Sequence, residues 1–380
     1  SVFFLNIKHD VGNDSIISEW LINYSGGFTK RGIIGQIAIF FSRTFDLELR
    51  NTIFYFQSIV IGIYFITIYF FLKSTLIERF YLLSVFTPIF LLYPVSEIEV
   101  LARKEIFIYI LFLFHLLTLI NYPQFSKVSR FFTFTLSVLI WEPVIFFLPL
   151  WVLIDVTLFL SNRNFKFLLK ELSLYFPGII ICLIYIFDPI NKIEHSVMSD
   201  VLKNEFGEIC YMSCGLLLSK STLTQQFMGN VHAYSIVNII RYILIIIIGF
   251  APLFLIIKFS KFKKNLNIFN TLKHNLFKIF LLILSPIIFL FLMAYDWGRW
   301  VNITYTMTFI AFMFLYKKKI ILINTNKLKK NFINQLSIKN YCFLFVIYCF
   351  TWAPKTAITG DIGSLPLYRA IYKLFKIYIL

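Results

Sequence analysis

Residues 236–258 read IVNIIRYILIIIIGFAPLFLIIK and run straight into FSKFKK at 259–264. Arg241 is the one charge in that stretch before Lys258. A helix of this length extends about 35 Å, enough to cross a hydrocarbon core of ~30 Å. The lysines that follow mark the end of a membrane-spanning helix on the cytoplasmic side. The same texture recurs along the chain. Of 380 residues, 59% are hydrophobic, 19% aromatic and only 14% charged. Soluble domains carry about 45–50% apolar and about 25% charged residues, so a soluble enzyme is excluded. A disordered chain is excluded by the abundance of Phe and Ile. The net charge of +17 is what basic cytoplasmic loops supply, so nucleic acid is not expected as a partner.

Ten apolar stretches emerge as candidate spans: 51–73, 79–95, 106–121, 126–141, 143–160, 170–188, 236–258, 277–295, 300–316 and 339–353. Trp141-Glu142-Pro143 divides what is otherwise one long apolar run, because proline restricts the residue before it and breaks the helical ladder. The chain opens on Ser1, and Val2–Leu5 reads as the tail of a hydrophobic segment, so a further leading span is expected. The expected fold is an all-α polytopic bundle, one integral membrane domain over 1–380.

Two loops set the sidedness. Residues 258–278 carry Lys258, Lys261, Lys263, Lys264, Lys273 and Lys278 without an acid. Residues 317–339 carry Lys317, Lys318, Lys319, Lys327, Lys329, Lys330 and Lys339, again without an acid. Placing both in the cytoplasm puts 1–50, 96–105, 141–143, 189–235, 296–299 and 354–380 outside, in the periplasm of a bacterial inner membrane. Most of the acids and most of the arginines then fall on the outer face. Arginine presents a planar fork suited to phosphate, whereas lysine is a hydrated point charge. An outer face rich in Arg and carboxylate fits an anionic, lipid-linked substrate; solvated loop charge is the plainer alternative.

Four outer clusters carry the chemistry. The first loop holds Asp10 beside His9, then Asp14, then Ser25-Gly26-Gly27-Phe28-Thr29-Lys30-Arg31-Gly32. Its glycines offer flexible backbone N–H groups next to the Lys30–Arg31 pair, a chemically reasonable cradle for phosphate or pyrophosphate. Asp10 is placed to take a proton from an acceptor hydroxyl, or else to cap a helix. Residues 33–41 read as a helix lying in the membrane interface. The second loop packs Glu97, Glu99, Arg103, Lys104 and Glu105 between two apolar stretches. If helical, Glu99 and Arg103 pair at i,i+4; otherwise Arg103 and Lys104 are free for phosphate and Glu97 or Glu99 for a metal or sugar hydroxyl. Glu142 is a carboxylate in an apolar setting, costly unless paired or used. Trp141 beside it serves as a sugar-stacking surface or as part of the interfacial aromatic belt. The fourth cluster is Asp296-Trp297-Gly298-Arg299-Trp300, where Arg299 is offered to pyrophosphate, Asp296 orients it and Trp297 stacks on sugar. No zinc, P-loop or dinucleotide spacing is present.

The loop 189–235 contains His195, Asp200, Glu205, Glu208 and His232, and its Cys210 and Cys214 pair if it faces an oxidising compartment. Cys182, Cys342 and Cys349 read as buried hydrophobes. The tail 354–380, with Arg369, Lys373 and Lys376, reads as a surface-lying amphipathic stretch.

In their order, Gly26-Gly27-Phe28-Thr29-Lys30-Arg31-Gly32, Ala102-Arg103-Lys104-Glu105, Trp141-Glu142-Pro143 and Asp296-Trp297-Gly298-Arg299-Trp300 resemble the islands of bacterial O-antigen or repeat-unit polymerases (Wzy-type). They also look like those of the broader GT-C membrane glycosyltransferases. The resemblance covers roughly 6–300 as short islands. It implies a GT-C-like helical module that acts at the periplasmic face on undecaprenyl-pyrophosphate-linked oligosaccharide, in O-antigen, lipopolysaccharide or capsule synthesis. Asp10 matches a first-loop base, Glu97 or Glu99 a second-loop acid, and Arg31, Arg103 and Arg299 the outer arginines. The chain lacks an Asp-x-Asp, which leaves a divalent metal open. Membrane lipids and other polysaccharide-assembly proteins are the implied partners. Two alternatives stand beside the polymerase: a GT-C transferase adding one sugar from a polyprenyl-phosphate donor, and a flippase for the same lipid. A flippase would line a central cavity with charge, whereas an enzyme would cluster it at one rim.

Overall fold

The structure, a computed structural model, describes residues 2–10, 15–73, 75, 79–159, 165–219, 222–263, 275–360 and 363–364, and for a few of these the backbone alone. Asp14, Lys264, Lys273, Arg369, Lys373, Lys376 and the side chain of Asp10 lie outside that description. Helix makes up 76% of the structure, with almost no sheet, so the all-helical membrane class holds. Among the described residues, four helices are long and apolar enough to cross a bilayer: Leu49–Leu72, Leu169–Phe187, Ile236–Lys258 and Leu276–Met293. They coincide with four of the apolar stretches picked out above.

The chain divides into two compact units. The first comprises 1–74, 101–148 and 164–231. Its Leu49–Leu72 helix packs on Glu105–Asn121, which packs on Ser126–Ile140, which packs on Phe176–Phe187. Leu5, Ile16, Ile61, Leu101 and Ala102 form one of its buried cores, with Phe54, Phe65 and Ile106 against them. Large apolar side chains such as Tyr55, Ile59, Ile66 and Tyr69 remain exposed on Leu49–Leu72, as expected of a helix whose outer face meets lipid. The Gly32–Phe45 helix buries Ile34, Ala38 and Ile39 and exposes Ile37, Phe40, Phe41 and Phe45, a distribution that suits the interface. Gly35 permits this packing. A Cβ there would sit 2.1 Å from the Ile22 carbonyl oxygen.

The second unit comprises 75–100, 149–163 and 232–380. Its centre is the Trp297–Lys317 helix, buried around almost its whole girth. The stretch 79–95 is not one continuous helix. It runs as a helix over Arg79–Val85, turns, and resumes briefly over Tyr93–Ser96. Pro88 and Pro94 account for the break, since each lacks an N–H and disfavours helix before it. The backbone groups so released are met by side chains of the central helix. Asn302 Nδ2 donates to the Ile89 oxygen (2.9 Å), and the Tyr305 hydroxyl to that of Ser84 (2.7 Å). Pro252, inside Ile236–Lys258, leaves the Ile248 carbonyl without its helical donor, and the Tyr348 hydroxyl bonds it at 3.0 Å. Non-helical backbone at membrane depth requires such partners.

Near the end of the central helix, Ser260–Phe262 pairs antiparallel with Ile321–Ile323. This short ribbon joins the two lysine-rich loops. The break at Trp141 is as the sequence indicates: Ser126–Ile140 ends there, and a 3₁₀ turn follows over Glu142–Phe147.

Candidate functional site

The first unit gathers four of the expected phosphate-binding residues and one expected carboxylate. The assembly begins with Trp20, at the end of the Ser15–Trp20 helix. Its buried indole Nε1 donates to the Ala102 carbonyl at 3.0 Å, tying the first loop to the second. Ala102 has φ 62° and Arg31 φ 65°, left-handed conformations uncommon in residues other than glycine, and strain of this kind clusters at functional sites.

Glu19, next to Trp20, is 1% exposed and faces both loop arginines. Its Oε1 lies 3.8 Å from Arg31 Nη1 and 3.6 Å from Arg103 Nη1. Arg103 also donates to the Ser15 hydroxyl at 3.1 Å. Arg103 thus pairs with Glu19. The continuous helix that would set Glu99 and Arg103 at i,i+4 does not form, because the chain turns at Ala102 before the next helix starts at Glu105. Arg31 grips Glu142 with two parallel bonds, Nε to Oε2 and Nη2 to Oε1, both 2.8 Å. The side chains of that pair are 20% and 16% exposed, so this is the open edge of the cluster. Lys104 is fully buried and donates from Nζ to the Arg31 carbonyl. Glu105 follows it in the first turn of Glu105–Asn121, where the helix dipole favours an acid.

The electrostatics follow from this geometry. Burial pushes the Lys104 amine down to about 7, against the pull of Glu19. Burial also lowers Lys30, opposed by Glu142 and assisted by Arg31. For Glu142, burial acts upward, but the Arg31 guanidinium and then Lys30 outweigh it and hold the carboxyl below its ordinary value. Lys30, Arg31, Arg103 and Lys104 thus lie among Glu19, Glu105 and Glu142, and protonation of Lys104 tips that balance toward positive charge.

Beside this cluster stands an aromatic stack. Phe28, 49% exposed, lies between Tyr24 (5.4 Å between ring centres) and Tyr185 (5.2 Å), both near-parallel. The glycines of the first loop serve packing. Gly26 abuts the Glu194 carbonyl, 1.8 Å from where a Cβ would stand. The Gly27 N–H is directed to the Tyr24 carbonyl at 3.1 Å and that of Gly32 to Thr29 at 3.4 Å, so these groups close the turn and are not the open anion cradle expected. Trp141 is fully buried against Phe147, and stacking on a sugar would first require uncovering it.

The other expected residues belong to the second unit. Asp296 and Arg299 pair at 3.3 Å across i,i+3 at the start of the central helix, and the Arg299 guanidinium lies over the Trp300 ring. Trp297 is half-buried among Tyr234, Tyr242 and Phe291. Glu97 accepts from Lys355 Nζ at 2.9 Å, while Glu99 lies in the 3₁₀ turn Ile98–Val100.

No family model matches the chain, and neither the curated proteins nor the solved structures yield a match.

A divalent ion is poorly served by either cluster, because Glu19, Glu142, Glu97 and Asp296 each already face a cation. Among the described residues, His195, Cys210 and Cys214 bring three ligand atoms within 4.8 Å of one another. Cys210 and Cys214 are joined there as a disulfide, the pairing expected of an oxidising compartment.

Sequence reasoning missed Glu19, Lys355 and the Tyr24–Phe28–Tyr185 stack. Glu19 had one local signal: it precedes a tryptophan within a short apolar run.

Proposed function

We propose that the protein is a membrane glycosyltransferase that polymerises oligosaccharide repeat units carried on a polyprenyl pyrophosphate, at the periplasmic face of the bacterial inner membrane. The ten-span, GT-C-like architecture and the sidedness read from the lysine loops are part of this proposal. The observation that carries it is the convergence of Lys30, Arg31, Arg103 and Lys104, from two loops about seventy residues apart in the chain, onto Glu19 and Glu142. Such a set suits a leaving pyrophosphate next to a proton acceptor.

An acceptor sugar hydroxyl attacks the anomeric carbon of the lipid-linked chain. The bond from that carbon to the phosphate oxygen breaks, and the electron pair leaves with the pyrophosphate. Arg31 and Arg103 receive that charge through their planar forks. Glu142 is a weak base while Arg31 holds it. When pyrophosphate takes the Arg31 fork, Glu142 loses its counter-ion, its proton affinity rises, and it accepts the hydroxyl proton. Phe28, half-exposed between its two neighbouring rings, offers the adjoining sugar an apolar edge. Lys104, buried behind Arg31, adds positive potential at the site in its protonated form, so substrate affinity should fall as pH rises through about 7.

The test is complementation of a deletion strain, with the surface polysaccharide resolved on a gel. The deletion should collapse the ladder to one repeat unit on its anchor. Arg31→Lys should insert normally and restore less than about a hundredth of the polymerisation rate, since one lost preorganised contact costs on the order of 10²–10³. A ladder restored in full by Arg31→Lys would overturn the assignment. A ladder that persists in the deletion strain, with every rung shifted in mass, would instead identify a single-sugar transferase.

A further inference from the structure

The second unit contains a feature that the transferase reading does not use. The ribbon of Ser260–Phe262 and Ile321–Ile323 sets Lys261 opposite Leu322. Two backbone bonds extend it, Lys263 N–H to the Ile320 carbonyl and Asn324 N–H to that of Phe259, both 2.8 Å. The ribbon thereby collects lysines from both loops: Lys258, Lys261 and Lys263 from one, Lys317, Lys318, Lys319, Lys327 and Lys330 from the other. Neither 258–263 nor 317–330 contains an acid.

A shallow apolar cleft adjoins the same ribbon, with about 30 Å³ of enclosed space and about 430 Å³ when its open mouth is counted. Its walls include Tyr81, Phe312, Met313, Ile323 and Leu328, and Thr325 is among its few polar contributors. Ile323 belongs to the ribbon, Tyr316 of the wall immediately precedes Lys317, and Leu328 immediately follows Lys327. An apolar slot and a lysine-rich sequence without acids thus share one short stretch of chain. Basic pockets at the ends of membrane helices bind acidic lipid headgroups.

We propose that this ribbon and cleft form a binding site for an anionic phospholipid, whose phosphate rests on the lysines while one acyl chain lies along the open mouth of the cleft. A basic surface alone would attract any anionic membrane. The cleft adds a place for one particular chain, and the acid-free lysines give the headgroup a complementary charge.

The purified full chain in a non-ionic detergent would be titrated with phosphatidylglycerol or phosphatidylcholine, and retained lipid counted by native mass spectrometry. Phosphatidylglycerol should be retained at a concentration at least tenfold below that needed for phosphatidylcholine, because each basic residue near an anionic surface contributes roughly fivefold. The variant Lys261→Gln/Lys263→Gln/Lys319→Gln/Lys327→Gln should abolish that preference. Ile323→Trp and, separately, Thr325→Phe fill the cleft from partly exposed positions and should each reduce phosphatidylglycerol retention while leaving gel-filtration behaviour and melting temperature near the wild type. Equal retention of the two lipids would overturn the proposal. So would undiminished phosphatidylglycerol retention in both cleft-filled variants, which would reveal only a basic surface. Competition by soluble glycerol 3-phosphate at the same concentration as the lipid would also overturn it, since no chain would then be needed.

Discussion

At the scale of single residues, the cost of charge in an apolar protein makes each pairing informative. Lys104 titrates near 7 in the folded protein and at 10.5 in the unfolded chain. Between those values the unfolded chain holds the extra proton, so the Lys104 contribution to stability rises with pH from about 7 to about 10.5. The wild type should therefore gain melting temperature across that window more steeply than Lys104→Met, and parallel curves would contradict the burial of a neutral amine. Arg130 and Glu171 form a second buried pair, 0% and 1% exposed and 2.5 Å apart, with Lys127 at 3.3 Å from the same carboxylate. Removing one partner of such a pair strands the other. Glu171→Ala should destabilise the detergent-solubilised protein by about 3–5 kcal/mol, read as a loss of folded protein on denaturation. Glu142 was legible in the sequence because it interrupts an apolar context, whereas Arg31, Arg103 and Lys104 were legible as cations gathered in two polar loops, beside glycines in one and acids in the other. Glu171 and Arg130 escaped because each sits near the end of its apolar stretch, where solvated charge is ordinary. Phe28 and Tyr24 escaped for the opposite reason: where 19% of residues are aromatic, one more ring carries no information.

At the scale of elements, the first loop is held by a helix from much later in the chain. Lys192–Phe206 opens with a capping box between Asn191 and Glu194 and closes on Gly207 in the left-handed conformation. Arg43 binds Glu205 and Arg50 binds Glu208, each through more than one bond. Gly26 lies directly against the backbone of this helix. Gly26→Ala should force the two apart and cost about 1–3 kcal/mol, measurable as a lower melting temperature; an unchanged value would mean the contact is not maintained. Helix positions were readable from apolar runs, because burying or lipidating a helix needs nothing more specific than hydrophobicity. The break in 79–95 was signalled by Pro88 and Pro94, yet its hydropathy remained high. Hydropathy reports the solvent a segment prefers, and not whether its backbone can continue as a helix once neighbouring Asn and Tyr side chains offer alternative bonds. The glycine pair misled in the other direction, since glycine accompanies tight packing as readily as an open anion cradle.

For the molecule as a whole, each compact unit contains two of the four long apolar helices found among the described residues, and the proposed sidedness places 189–235 outside and 258–278 inside. In a Cys342→Ser background, a cysteine replacing Lys203 should react with an impermeant reagent applied outside intact cells. One replacing Lys261 should react only after the membrane is opened. The reverse pattern would invert the topology and remove the periplasmic assignment of Arg31 and Glu142. The lysine ribbon also constrains how the chain is made. Its first strand leaves the ribosome about sixty residues ahead of its partner, which at ~5–20 residues per second is a delay of roughly 3–12 s. Throughout that interval Ser260–Phe262 waits as an unpaired edge, and its flanking lysines are the kind of residue that keeps such an edge from recruiting a stranger. The same charges that mark the finished surface thus act earlier as chaperones of their own nascent strand.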